Sequence, residues 1–230
     1  MTEEIIIAGF GGQGVLSMGK ILAYAGIMQN KEVSWLPSYG PEMRGGTSNV
    51  TVILSDERIC SPYLNQFDTA IILNQQSMDK FEASVKPGGL LIYDPNGISH
   101  HPTRKDINIY QVAAADKASE IGIMKLFNMI ILGGFLAVKP IVTREMLEKG
   151  LQKSLPERHH HLIPDNIKAV EIGNNPLSDS AQTLVFLLKL HVLQLEAVNL
   201  GDKVNHKAVL HIIIKNGICE PCLMSAGRTS

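Results

Sequence analysis

The sequence predicts an α/β domain, a three-layer, Rossmann-like and largely parallel sheet with a helical C-terminal portion. Three observations carry that expectation. Through residue 112, short β-rich runs alternate with segments of helical periodicity, the pattern of strand–helix–strand units. The first run ends in Gly9-Phe10-Gly11-Gly12-Gln13-Gly14, a glycine turn between a strand and a helix. From Ala113 to Gly173 the strand pattern gives way to helical segments.

Taken in order, Ile5 to Ala8 reads as the first strand. Val15 to Gln29 reads as a helix, because Leu16, Ile21, Leu22, Ala25 and Met28 fall near a 3.6-residue period. Val33 to Leu36 is a second strand, and Ser38 to Gly46 a polar, glycine-rich loop. In Thr47 to Leu54, Val50, Val52 and Leu54 alternate with Thr51 and Ile53, a strand with at least one buried face. Asp56-Glu57-Arg58 is a turn from which Ile59-Cys60 pairs back as a short hairpin arm. Further strands are expected at Thr69 to Leu73, Leu90 to Tyr93 and Ile107 to Val112, with a helix at Gln75 to Ser84 ended by Pro87-Gly88-Gly89.

Helices follow at Ala113 to Ile121, Lys125 to Val138 and Thr143 to Gln152, with Thr143 as N-cap, and another runs from Pro164 to near Gly173. Asn174-Asn175-Pro176 is a linker, so residues 1–175 form the α/β domain and 176–230 an extension. The extension holds a helix at Asp179 to Val198, strand character at His211 to Ile214 and a tail without a packing signal.

With 230 residues, 45% of them hydrophobic and 19% charged, the chain can bury a sizeable core as a globular, water-soluble protein. Its 21 basic and 22 acidic residues form no long basic run, which argues against a nucleic-acid partner. The acidic start, Met1-Thr2-Glu3-Glu4, and the short apolar run behind it do not make a signal peptide, so a cytoplasmic location is expected. Met129 to Val138 and Leu184 to Leu195 are too short to span a bilayer, so no membrane is involved. The three cysteines are too few for a cluster, and Cys219-Glu220-Pro221-Cys222 reads as an incidental pair. His159-His160-His161 reads as a solvated loop, since neighbouring side chains on a helix diverge by about 100° and cannot share one metal. No metal site is expected.

Gly9, Gly11 and Gly14 have the spacing of a dinucleotide fingerprint. That motif also requires an acidic residue at the end of the second strand, where this chain has Leu36-Pro37-Ser38-Tyr39. The turn therefore reads as an anion receptor without a ribose-binding carboxylate, or as a packing turn. Gln13 could bind a ligand through its amide or cap a neighbouring turn. The second loop, Ser38 to Asn49, should lie beside the first, and Arg44 could present its guanidinium to phosphate or carboxylate oxygens.

Several segments together resemble a known family: Gly9 to Val15 (GFGGQGV), Ser38 to Asn49 (SYGPEMRGGTSN), Lys86 to Gly89, Asn128-Met129 with Leu132-Gly133, and Ile163 to Asn166 with Gly173. The chain resembles the gamma subunit of 2-oxoacid:ferredoxin (acceptor) oxidoreductases, over about residues 3 to 175. The resemblance implies a subunit of a complex that oxidatively decarboxylates a 2-oxoacid with coenzyme A as co-substrate, giving acyl-CoA. It also implies alpha and beta partner subunits, a ferredoxin-like subunit, and ferredoxin as acceptor. Thiamine diphosphate, Mg²⁺ and iron–sulfur clusters would sit on the partners and none on this chain. The role implied for this subunit is coenzyme A engagement and active-site closure, through Gly11, Gly12, Gln13, Gly14 and Val15, with Arg44 on phosphate and Asn128 as a polar contact. Lys20 is a weaker addition, Asn128 also reads as a helix cap, and no catalytic residue is assigned. Two other functions compete: a stand-alone NAD- or FAD-binding dehydrogenase, and a structural assembly subunit with no ligand of its own.

Overall fold

The computed structural model describes residues 1–39 and 47–174. Its elements are β1 (Thr2–Phe10), α1 (Val15–Met28), β2 (Glu32–Tyr39), β3 (Thr47–Ser55), β4 (Phe67–Ile72), α2 (Gln75–Phe81), β5 (Val85–Tyr93), β6 (Asn108–Gln111), α3 (Ala114–Glu120), α4 (Phe127–Val138), α5 (Arg144–Ser154) and α6 (Ile163–Asn174). The expected helix at 179–198, the strand character at 211–214 and the Cys219/Cys222 pair lie outside the described residues.

The strands form one sheet in the order β2-β3-β1-β4-β5-β6. β4, β5 and β6 pair in parallel outward from β1, while β3 lies antiparallel between β1 and β2. Five strands therefore point one way and β3 the other. The class matches the expectation, with one correction: β2 and β3 form a hairpin, and β3 occupies the place beside β1 that a simple strand–helix–strand unit would give to β2. Ile59-Cys60 forms no hairpin arm; β3 spends its two ladders on β1 and β2, and the chain from Asp56 to Gln66 crosses to β4 without strand pairing. Pro87-Gly88-Gly89 does not separate a helix from a strand either. β5 begins at Val85 and carries these residues through a register shift against β4, with Gly88 at φ 77°.

Alternation along β1 sends Ile5 and Ile7 to one face and Ile6 and Ala8 to the other. The first face carries α1, α3, α4, α5 and α6, whose apolar sides merge in one core with Leu22, Val52, Ile71, Ile92 and Phe135. The second face is thinner. It is closed by Met78 and Phe81 of α2 and by Ile98 and Ile107 from the segment before β6. That segment is tied to α2 and the turn behind it by side chains: Gln75 accepts the N–H groups of Ser99 and His100, and Glu82 those of Thr103 and Arg104.

α4 and α6 approach through glycine. A Cβ at Gly133 would enter the Val170 carbonyl, and one at Gly173 would enter the Ile130 carbonyl and stand 2.9 Å from the Gly134 nitrogen. α5 meets α1 in the same way, with Gly150 against Ile21 and Ala25. His159–His161 belong to a 3₁₀ turn, Glu157–Leu162, instead of a free loop, because His160 Nε2 lies 3.1 Å from the carbonyls of Gln152 and Leu155 and anchors the turn to α5.

The edge where β1 begins is a charged seam. Buried Glu3 accepts from Thr69 Oγ1 (2.6 Å) and Lys139 Nζ (2.7 Å), joining β1, β4 and the end of α4. Lys86 bridges Glu4 and Asp68; burial works against its charge, yet the two carboxylates hold its pKa above the ordinary lysine value. Lys139→Met should destabilise the chain by about 2 kcal/mol, between the values for exposed and buried pairs because Glu3 is buried and Lys139 is not. Glu3→Gln should cost less, since its amide oxygen still accepts from Thr69. Urea unfolding of the two variants gives the comparison.

Candidate functional site

The carboxyl ends of β1 and β4 meet where the chain leaves β1 to one side and later returns on the other, the place where open α/β sheets form ligand crevices. Residues 11–14 link β1 to α1 there. Gly12 and Gly14 take φ of 100° and 78°, conformations open to glycine at no steric cost, and Gly14 serves as the N-cap of α1. A glycine has no side chain to cap the helix, and no acidic residue stands in the first turn. The amino end of α1 thus keeps its free N–H groups and partial positive charge.

Other helix starts are filled by the protein itself. Asn74 Oδ1 accepts the Ser77 N–H at α2, and Thr143 Oγ1 the Met146 N–H at α5, as the sequence predicts for Thr143. At α3, the buried Asp94 carboxylate accepts the Ala115 N–H at 2.8 Å and that of Asn96 at 2.7 Å. Burial pushes the Asp94 carboxyl pKa up against the pull of these N–H groups. At α4 a 3₁₀ turn, Met124–Leu126, precedes the helix and uses the Phe127 N–H on the Met124 carbonyl. α2, α3 and α5 thus carry side-chain caps and α4 continues out of a 3₁₀ turn, whereas α1 starts from a glycine with neither.

The expected site residues fall as follows. Gly11 and Gly14 are half-buried and Gly12 is exposed. Val15 packs its side chain in the core, leaving its backbone for any ligand. Gln13 is already engaged: its Oε1 accepts the Phe10 N–H at 2.6 Å and its Nε2 donates to the Leu73 carbonyl at 3.2 Å. Asn128 is not an N-cap. It stands one residue inside α4 and points across to the turn, its Nδ2 3.5 Å from the Gly14 carbonyl. Lys20 is carried away from the turn, with its ammonium 5.8 Å from the centroid of the Tyr24 ring. Arg44 lies outside the described residues; the strand ends flanking its loop, Tyr39 and Thr47, sit at this edge, with Thr47 paired to Phe10.

Two features escape sequence reading. β3 places Thr47, Ser48 and Asn49 opposite Phe10, Gly9 and Ala8, a neutral polar row beside the turn. β2 is thereby displaced by a second strand spacing, about 10 Å from β1, so even an acidic residue at its end would be poorly placed for a ribose beside the turn. The dinucleotide reading is not favoured. Leu73-Asn74 is the second feature, and its available signal is an Asn directly before a helical run. Among the described residues no group of three or more His, Cys, Asp or Glu could hold a metal, and no helix is long and apolar enough to cross a membrane.

Residues 4–175 match the family described as pyruvate ferredoxin/flavodoxin oxidoreductase. The chain is 41% identical over 170 residues to the ketoisovalerate oxidoreductase subunit VorA of Methanothermobacter marburgensis, covering 74% of this chain but about a third (35%) of that protein. It is 36% identical over 160 residues to the 2-oxoglutarate synthase subunit KorC of Methanocaldococcus jannaschii, covering 68% of this chain and 86% of that one. Among solved structures, the gamma subunit of a keto/oxoacid ferredoxin oxidoreductase from Geobacter sulfurreducens superposes with a TM-score of 0.64 at 31% identity, over 76% of this chain and 95% of that one.

Proposed function

The chain belongs to the pyruvate ferredoxin/flavodoxin oxidoreductase family, and on that premise we propose that it is the gamma-type subunit of a cytoplasmic 2-oxoacid:ferredoxin oxidoreductase. Its part is to engage coenzyme A and close the active site while partners carry the redox chemistry. The complex would hold alpha and beta subunits and a ferredoxin-like subunit, with thiamine diphosphate, Mg²⁺ and iron–sulfur clusters on those partners and ferredoxin as acceptor. Residues 1–175 are the working unit, and 176–230 an extension to it.

The observation that carries this reading is the uncapped amino end of α1, opening at the β1/β4 crevice beside neutral polar groups. Coenzyme A brings a diphosphate and a 3′-phosphate, anions that suit free helix N–H groups. Gly11, Gly12, Gln13, Gly14 and Val15 would contribute backbone, Asn128 its carboxamide, and Arg44 a guanidinium to phosphate.

The purified chain is expected to be inactive alone and to turn over a 2-oxoacid when reconstituted with its partners. Added coenzyme A should slow amide exchange at residues 11–15 of the assembled complex. Unchanged exchange there would leave the subunit an assembly component without a ligand. Asn128→Ala should raise the KM for coenzyme A about fivefold, the loss of roughly one hydrogen bond.

A further inference from the structure

We propose that Gln13 is a positioning residue whose carboxamide clamps the glycine turn between the carboxyl ends of β1 and β4. The clamp fixes the direction in which the turn and the amino end of α1 present their N–H groups. This deepens the coenzyme A reading and rests on it for the identity of the ligand, though not for the clamp.

The turn between Phe10 and Val15 is glycine except at Gln13. Gly12 and Gly14, on either side of it, hold positive φ that glycine adopts freely and leaves as freely. An untethered turn of this kind would sample many shapes and pay ordering entropy at each binding event. Gln13 is the one side chain within it able to supply a tether, and both ends of its carboxamide are used. Phe10 gives its N–H to Gln13 Oε1 at 2.6 Å and its carbonyl to the Gln13 N–H at 3.2 Å, so the two residues are joined twice. The other end, Nε2, reaches the Leu73 carbonyl at 3.2 Å. Leu73 gives its own N–H to Ala8 at 2.9 Å, so the carboxamide extends the β1–β4 ladder by one side-chain rung.

Gly9 makes room for this arrangement. A Cβ there would stand 2.6 Å from Gln13 Oε1 and 2.9 Å from Leu73 Cβ. Gly9, at the end of β1, thus serves the clamp, whereas Gly12 and Gly14 supply the positive-φ backbone of the turn. Gln13 keeps one N–H and one lone pair beyond these bonds, so clamping does not preclude a further polar contact.

The test has two readouts. Amide exchange on the full-length chain, without any ligand, reads the clamp. Gln13→Met, which keeps length and removes both bonds, should speed exchange at Phe10 by about tenfold or more, the loss expected for one to two hydrogen bonds. Ile6, Ile7 and Ile131 in the core should remain as in the parent chain. Gln13→Asn, one methylene short of spanning both partners, should behave like the Met variant. Parent-like protection at Phe10 in either variant overturns the clamp.

Steady-state kinetics on the reconstituted complex reads the function. Gln13→Met should raise the KM for coenzyme A about five- to thirtyfold, with kcat and the KM for the 2-oxoacid within about twofold of the parent. Faster exchange with no change in that KM keeps the clamp and overturns its service to coenzyme A. Should the Met variant not fold, Gln13→Glu retains an acceptor for Phe10 and loses the bond to Leu73. It should keep protection at Phe10 while raising the KM for coenzyme A; loss of both effects overturns the proposal.

Discussion

Gly14→Ala is expected to cost the assembled enzyme at least tenfold in KM for coenzyme A, with kcat nearly kept. Two effects combine at this position. Alanine at φ 78° pays about 1 kcal/mol of backbone strain. Its Cβ would also stand 2.5 Å from Asn128 Nδ2 and 2.9 Å from Asn128 Cγ, driving that carboxamide off the turn. Relief by rotating φ would reorient the first N–H groups of α1, the groups proposed to receive phosphate. A charge-assisted hydrogen bond of about 1.5–3 kcal/mol is at stake, which corresponds to roughly ten- to a hundredfold. Because Asn128 is a flexible side chain, the fold itself should lose only about 1–2 kcal/mol. Measuring KM and thermal midpoint on the same preparation separates the two, and a variant with unchanged KM would remove the turn from the coenzyme site.

Gly173→Ala should be the most damaging single methyl among the described residues, lowering stability by about 3 kcal/mol or more. The added carbon meets backbone on two sides, the Ile130 carbonyl and the Gly134 nitrogen, so no rotamer change can absorb it. α6 would have to lift from α4, opening the wall that holds Ile131, Phe135 and Ile167. Gly133→Ala should act similarly through the Val170 carbonyl, and the double variant should lose less than the sum, because one displacement of α6 relieves both contacts. Denaturant midpoints for the three proteins decide it; full additivity would mean that the two contacts yield separately.

Most of the element order was legible because it is written locally. The alternation in β1, the periodicity of α1 and the cap at Thr143 each sit within a few residues of chain. Strand direction is not so written. Val50, Val52 and Leu54 alternate identically whichever way β3 runs, and only the pairing of Thr2 with Ser55 and Phe10 with Thr47 reveals that it opposes β1. Pro87-Gly88-Gly89 has the composition of a break, yet Gly88 is used inside an irregular strand, where its positive φ accommodates the register shift. For the site, the glycine spacing identified the turn and the helix start behind it, on which the proposed anion chemistry rests. It could not identify the bond from Gln13 to Leu73, sixty positions away, or the approach of Asn128 to Gly14. Both depend on packing that brings distant chain together.

The two lysines at the start of the sheet have a further consequence. Lys86 and Lys139 tie β1 and β4 to each other and to α4 at one rim, whereas the opposite rim ends in glycine. The first end of β1 is therefore fixed by ion pairs, and its last end by the β3 ladder and the Gln13 carboxamide. On the proposed function, a guest would meet a turn restrained by one carboxamide, so the work of binding would stay near residues 11–15 and leave the ion-paired rim in place.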